Sequence, residues 1–314
     1  MLKIYKTTQV EKKVKKAKTI SADSWIDMIS PTQEEIEKVL NMTNIDEDLI
    51  LKMLDDEERP RIDVTDNATL VVIDTPYLES DKDHFVYNTS PLGIIITDNN
   101  YVITISPSGT KVLGNFKRNK IKDFRTAKKT RFLIQILIET ATSYIKALKA
   151  VNSRIEIKEK ELTKSTSNKE LIEMLDLEKT LVYFLTSLKA NDLVLEKLKK
   201  GNILPLYEGD SDLLDDAIVE NKQAIEQSEI QRDILESITD TYATIVSNNV
   251  NEIMKFLAGI TIVLSVPTMI SSFLGMNVPF GDIGSNPLSA VIIFVLSIIF
   301  SIVIAIILKK KNLL

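Results

Sequence analysis

Two long apolar stretches stand near the C-terminus, residues 253–274 and 288–308. The second runs 21 residues, interrupted only by Ser289, Ser297 and Ser301. A hydrocarbon layer about 30 Å thick takes roughly 20 apolar residues in helical form, so both stretches are expected to span a membrane. The loop between them, residues 278–287, has Asp282 as its one charged residue and is too short to fold by itself. The first stretch is less uniform, and its polar positions are ordered. Alternating steps of three and four from Asn251 reach Met254, Ala258, Thr261, Ser265, Thr268 and Ser272. That 3.5-residue repeat keeps one helix face turned toward a common axis. Two readings fit a small, hydroxylated face: close helix–helix packing, or a water-filled conduit lined by several copies of the helix. Pro267 favours neither, since hydroxyls and neighbouring helices can re-satisfy the carbonyl it frees.

Upstream the pattern changes twice. Residues 1 to about 115 read as mixed α/β. Ser30-Pro31-Thr32-Gln33 looks like a helix start, with Ser30 as cap, Pro31 at the first helical position and Gln33 reaching back. Ile36, Val39 and Leu40 follow at helical spacing, and a second helix is expected over 45–54. β-branched clusters predict strands at 61–64, 69–73, 93–97 and 101–105, with Asp98-Asn99-Asn100 as a hairpin turn. From about residue 123 to 200 the apolar spacing is helical and long. Ile134, Leu137, Ile138, Ala141, Tyr144, Ile145 and Leu148 mark one helix, and a polar break at 163–168 precedes a second, antiparallel one. Gly201, Asn202 and Pro205 then end this pair. A third helix is expected from about 213 to 275, roughly 95 Å long at 1.5 Å per residue.

Charge sharpens the picture. The N-terminus is charged at once (Lys3, Lys6, Lys12, Lys13), so no signal peptide is expected. Lys309, Lys310 and Lys311 after the second span, and Lys255 beside the first, place both termini in the cytoplasm by the positive-inside rule. Nine basic residues between Lys111 and Arg131 face one acid, Asp123, which reads as a solvated face or a docking surface for acidic lipid or an acidic neighbour. Nucleic acid fits poorly, because aromatic interleaving is missing and the chain is acidic overall. Between Glu208 and Lys255 twelve acids oppose Lys222, Arg232 and Lys255, a net of −9. Parallel copies of such a helix would concentrate carboxylates and attract divalent cations.

The candidate chemistry is not catalytic. Cysteine is absent and His84 is the single histidine, which excludes a Cys/His zinc site. His84 sits in Glu79-Ser80-Asp81-Lys82-Asp83-His84, expected to be a solvated turn between strands. No glycine-rich phosphate loop appears, which argues against an ATP-driven pump or kinase.

Gly275-Met276-Asn277 at the outer end of the first span, a Lys-rich tail after the second and an acidic helix before the first together resemble the CorA magnesium transporters. Asn251-Glu252-Ile253-Met254-Lys255 and Pro267-Thr268 are similar to the family's pore-helix pattern, as are Trp25-Ile26-Asp27 and Asp56-Glu57-Glu58-Arg59-Pro60-Arg61 upstream. The resemblance implies an α+β cytoplasmic domain followed by long helices and two C-terminal transmembrane helices, in a funnel-shaped homopentamer in the plasma or inner membrane. On that pattern the chain divides into an α/β domain (1–120), antiparallel helices (121–205), a stalk and pore-lining helix (206–277, first span about 253–275), an outer loop (278–287), a second span (288–308) and a basic tail (309–314). It implies a channel-like carrier of divalent cations and no enzyme. Mg2+ would be both cargo and regulator.

By position, Gly275, Met276 and Asn277 would form the selectivity motif, and Asn251, Met254, Leu257, Ser265 and Thr268 would line the conduit. Met254 and Leu257 would make an apolar constriction able to dewet, and Gly275 would let the backbone turn sharply. Asp81, Asp216 and Asp240 would hold a regulatory metal, with Asp83 close enough to substitute for Asp81. Two departures stand out. The outer loop lacks the family's common Met-Pro-Glu, and Ser265 replaces a large apolar residue. Either could accompany zinc, cobalt or nickel transport. A reading from another class is a membrane-anchored signalling rod, against which the polar seam of the first span argues.

Overall fold

The computed structural model describes residues 1–7, 13–81, 84–162, 169–201, 203–276, 287–311 and 313, with the backbone alone for 80, 81, 84, 85 and 287. Two compact units follow one another along the chain, Met1–Ile238 and Thr239–Leu314.

The first unit is built on a seven-stranded sheet. Its strands are β1 (Leu2–Thr7), β2 (Val14–Ala17), β3 (Trp25–Ile29), β4 (Arg61–Val64), β5 (Ala68–Asp81), β6 (His84–Thr97) and β7 (Val102–Ser106), in the order β2-β1-β3-β7-β6-β5-β4. Among the described residues only β3 and β7 pair in parallel. Alternation along each strand sends side chains to opposite faces, and both faces are covered. One face (Ile26, Met28, Leu70, Val72) packs on α1 (Gln33–Thr43), α2 (Asp48–Leu51) and a 3-10 turn at Lys52–Leu54. At Gly93 on that face a methyl group would collide with the Met53 side chain, so glycine lets turn and sheet approach. The other face carries Trp25, Val71, Ile73 and Leu92. It meets α3 (Lys111–Lys117), α4 (Lys129–Leu162), α5 (Lys169–Lys200) and the start of α6 (Asp210–Leu274).

Several sequence expectations shift here. The capping box of α1 is Thr32 with Glu35, not Ser30 with Gln33. Ser30 instead takes a left-handed backbone at φ 40° and donates its N–H to Ser106, so the chain has already turned when the helix begins. Strands β1 to β3 and the short helix α3 were not foreseen. The β5–β6 hairpin is far longer than the predicted 69–73 and 93–97, pairing in register from Ala68↔Thr97 out to Asp81↔His84. Glu79, Asp81 and His84 are therefore strand residues rather than a turn. The polar break at 163–168 lies outside the described residues.

Side-chain hydrogen bonds tie the helices together. Asn221 Nδ2 of α6 donates to Leu188 O of α5, Ser228 Oγ to Leu181 O, and Gln231 Nε2 to Leu148 O of α4. Each caps a carbonyl that would otherwise lie buried without an additional partner.

The second unit contains the C-terminal part of α6 and α7 (Pro287–Lys310). Both helices are long and apolar enough to cross a membrane. Met269, Ile270 and Phe273 of α6, with Ile293, Leu296 and Phe300 of α7, line an apolar groove of about 600 Å³.

Candidate functional site

The face predicted from the sequence lies on α6. Asn251, Met254, Leu257, Ser265 and Thr268 all belong to this helix and all are exposed. The helix continues through Pro267, which has no N–H for the carbonyl of Val263. Thr261 Oγ1 donates to Leu257 O at 2.8 Å, Ser265 Oγ to Ile262 O at 2.8 Å, and Thr268 Oγ1 to Leu264 O at 3.0 Å. Each hydroxyl thus returns its proton to its own helix and keeps its lone pairs for what lies outside. The outcome is a row of oxygen acceptors on an apolar helix, the polarity that bonds the water shell of a cation.

On the N-terminal side of that row Met254 and Leu257 are 60% and 59% exposed, an unpartnered apolar pair. At the other end α6 stops at Leu274. Gly275 N donates to Ser271 O at 3.0 Å and Met276 N to Phe273 O at 3.4 Å. Gly275 does not adopt a left-handed backbone, and a Cβ there would rest 3.4 Å from Ser271 O, in ordinary contact. Asn277 and the loop 278–286 lie outside the described residues.

The carboxylates expected to hold a regulatory metal stand apart. Asp216 and Asp240 are exposed on α6, with no ion-pair partner among the described residues. Asp81 ends β5 opposite His84; its side chain and all of Asp83 lie outside the described residues. Among the described residues no three acidic or histidine side chains converge as a ligand set within one chain.

Two buried polar clusters stand out in the first unit; the family resemblance marks Trp25 and Asp27 of the first, while Thr104 and all members of the second are isolated polar residues inside apolar strands and helices. Trp25 Nε1 donates to Thr104 Oγ1 at 2.8 Å, Thr104 donates to Asp27 Oδ1 at 3.0 Å, and Lys117 Nζ closes on Asp27 Oδ2 at 2.5 Å. The second centres on Asp74 of β5. Ser187 Oγ of α5 donates to its carboxylate at 2.6 Å, and Asn191 brackets its backbone with bonds of 2.9 Å to N and O. Burial pushes the Asp74 carboxyl up from its ordinary range, with the Ser187 bond pulling the other way. The nearby Tyr144 phenol is held well above its ordinary value by burial and by the Asp74 charge.

An α+β domain whose last long helix leads into an apolar helical pair, the first member faced with hydroxyls, defines a two-span membrane protein with a large extramembrane domain. The comparisons make the class specific. The chain belongs to the CorA family, matching the CorA-like Mg2+ transporter protein family over residues 22–310. It is 28% identical over 297 residues to the cobalt/magnesium transport protein CorA of Methanocaldococcus jannaschii, covering 92% of this chain and 90% of that one. The complete structure of the CorA magnesium transporter from that organism superposes with a TM-score of 0.88 at 26% identity, covering 100% of this chain and 99% of the other. The cobalt/magnesium transport protein CorA of Thermotoga maritima is 24% identical over 283 residues, 87% of this chain and 78% of that one.

Proposed function

We propose that this protein carries divalent cations, foremost Mg2+, passively inward through a conduit formed by several copies of α6. The observation that carries the reading is the row of back-bonded hydroxyls on an otherwise apolar helix, in a chain of the CorA family. Mg2+ sheds its water reluctantly, so neutral oxygens that bond the hydrated ion without stripping it suit a conduit better than carboxylates would. Asn277 would supply the outer ring of amide oxygens, with Gly275 and Met276 positioning it. Asn251, Thr268 and Ser265 would line the path, and Met254 with Leu257 would close it by dewetting. Two positive charges moving inward gain about 4.6 kcal/mol per 100 mV, enough to drive uptake without ATP.

A homopentamer, which the family resemblance implies, would bury what one chain leaves open. Ile230, Ile234, Ile245 and Val250 of α6 are 60%, 46%, 43% and 53% exposed before the apolar span begins. Apolar side chains in that number on an acidic helix favour a neighbouring copy over water. The same assembly would bring Asp81, Asp216 and Asp240 of adjacent chains into reach of one another. Their oxygens are the donors Mg2+ takes. Bound Mg2+ would neutralise them and hold the closed state; its loss would leave like charges that repel and loosen it. Both termini would lie in the cytoplasm.

The test is flux into vesicles of purified protein loaded with a Mg2+-sensitive dye. Uptake should follow an imposed potential, vanish in Asn277→Ala, and become insensitive to internal Mg2+ in Asp216→Ala. Filling with Zn2+ or Co2+ but not Mg2+ would overturn the choice of ion. A protein that conducts no cation at any potential would overturn transport and favour the anchored rod.

A further inference from the structure

The basic run 111–131 has no part in the conduit, and the first unit gives two of its members a common setting. Lys111 and Arg118, at either end of α3, meet Lys146 of α4 around a cleft of about 280 Å³. The opposite wall is the β5–β6 hairpin, which contributes the rings of Tyr77 and Tyr87. Asn115 and Ser143 supply neutral polar groups between the walls.

Among the described residues three cations line this cleft and no carboxylate does. Lys111 has no hydrogen-bond or ion-pair partner among the described residues. Among the described residues Lys146 reaches only Glu139, at 4.0 Å. Arg118 donates to Asn115 Oδ1 at 3.0 Å, and the amide of Asn115 donates in turn to Glu139. That relay holds the guanidinium in place without neutralising it. Burial, and after it the charges of Glu79 and Asp56, raise the Tyr77 phenol, and among the described residues the hairpin wall carries no cation of its own to draw an anion. The three cations stand on the α3–α4 wall, which is where an anion would sit. Tyr87 is fixed by its ring contact with Phe184 at 5.7 Å and by its backbone bond to Thr180. Like charges gathered around one concavity repel each other, and a multivalent anion relieves that repulsion.

We infer that this cleft binds a phosphate monoester bearing a flat ring, of the size of a nucleoside monophosphate, with its phosphate on Lys111, Arg118 and Lys146 and its ring against Tyr77 and Tyr87. A phosphate monoester carries about −1.5 to −2 charges at neutral pH, a fair match for three lysine and arginine charges partly offset by Glu139. Arginine and lysine both serve phosphate, arginine through its planar fork. The cleft, at about 280 Å³, lies near the small end of the range for small-molecule sites, in keeping with one compact ligand. The inference does not depend on the transport reading, since binding is measured without flux.

The experiment is calorimetric titration of the full-length protein in detergent, in Mg2+-free buffer, with AMP, adenosine and inorganic phosphate. AMP should bind saturably, and adenosine and phosphate should each bind at least about tenfold more weakly, because each forfeits one wall. Lys111→Gln and Arg118→Gln should weaken AMP at least about tenfold. Lys149→Gln, one turn along α4 and outside the cleft, should leave it unchanged. Lys111 is exposed and unbonded, so its variant tests binding without disturbing the fold. Three results would overturn the assignment: no saturable AMP binding, an equal loss in Lys149→Gln, or phosphate binding as tightly as AMP.

Discussion

The ion pair between Arg131 and Asp210 fastens the start of α6 to the start of α4, and its removal has a calculable effect. Arg131 Nε lies 2.8 Å from Asp210 Oδ1, and the second carboxylate oxygen accepts from Tyr207 N at 3.1 Å. The guanidinium also donates to Glu208 O at 3.1 Å. The side chain of Asp210 is 2% exposed and that of Arg131 is 21% exposed. Asp210→Ala would strand two donors at once. Breaking a buried pair from one side costs about 3–5 kcal/mol. Water can reach part of Arg131 and recover some of that, so about 2–3 kcal/mol is the expected loss. For a unit of this size (Met1–Ile238), each kcal/mol moves Tm by about 2–4 °C, giving a fall of about 4–12 °C. Trp25 is the single tryptophan, fully buried against Phe116, Phe124 and Phe132, so its fluorescence reports unfolding of this unit. Adding Arg131→Met should restore about half of the loss, because no unpaired charge then remains. Asp210→Ala melting within about 1 °C of wild type would refute the reasoning. So would a double variant that melts below both single ones.

Asp74 gives a pH-dependent counterpart. Its carboxyl is raised by burial, so the folded state is penalised above that raised value and the penalty fades as pH falls toward the unfolded value of about 3.9. Asp74→Asn keeps an oxygen for Ser187 and should raise Tm at neutral pH by about 2–4 °C, a gain that disappears near pH 4; an equal gain at both pH values would reject the electrostatic cause. In the conduit, Met254→Asn should keep an apolar constriction wet and raise vesicle flux at high internal Mg2+ above that of wild type. An unchanged or lower flux would remove Met254 from the closure.

The residues that could be read in advance share one property: their spacing alone declares their setting. The stretches 253–274 and 288–308 are apolar over a membrane's thickness, and the alternating steps from Asn251 place one helix face. Both hold whatever the rest of the chain does. The helical repeats of α4 and α5 are legible for the same reason, since burial against one another imposes the period directly. The sheet was harder. Lys3 and Lys6 on β1, and Lys15 and Lys16 on β2, give a polar look to strands at the sheet's outer end, where the β2 edge needs little apolar content. The outer half of the β5–β6 hairpin is hard to read from the sequence because Pro76 and Pro91 interrupt it and Glu79-Ser80-Asp81 is polar, and pairing with the opposite strand carries it across these positions. The helix start was placed two residues early because Ser30 and Thr32 are both good caps. Pro31 reads as a first helical residue, and only the hydrogen bond of Glu35 to the Thr32 backbone shows which cap is used. The tyrosine-and-cation cleft needs three elements distant in sequence to meet, and no local pattern records that.

The hydroxyl face also bears on how such a helix could enter a bilayer before it meets its copies. A polar group in hydrocarbon is costly when its hydrogen-bonding capacity goes unused. Thr261, Ser265 and Thr268 each spend their proton on a carbonyl of their own helix, which removes the donor from that account. What remains outward is a lone pair, cheap in lipid and useful in water. Asparagine or aspartate at those positions would bring a donor or a charge that a single helix has fewer ways to satisfy, and insertion would suffer before any pore existed. Threonine and serine therefore let one segment cross as an isolated span and still offer the oxygens that the proposed conduit requires. Asn251 lies at the edge of the apolar stretch, and Asn277 just beyond the end of α6. In the sequence, the amide side chains thus fall at the two ends of the apolar segment rather than within it.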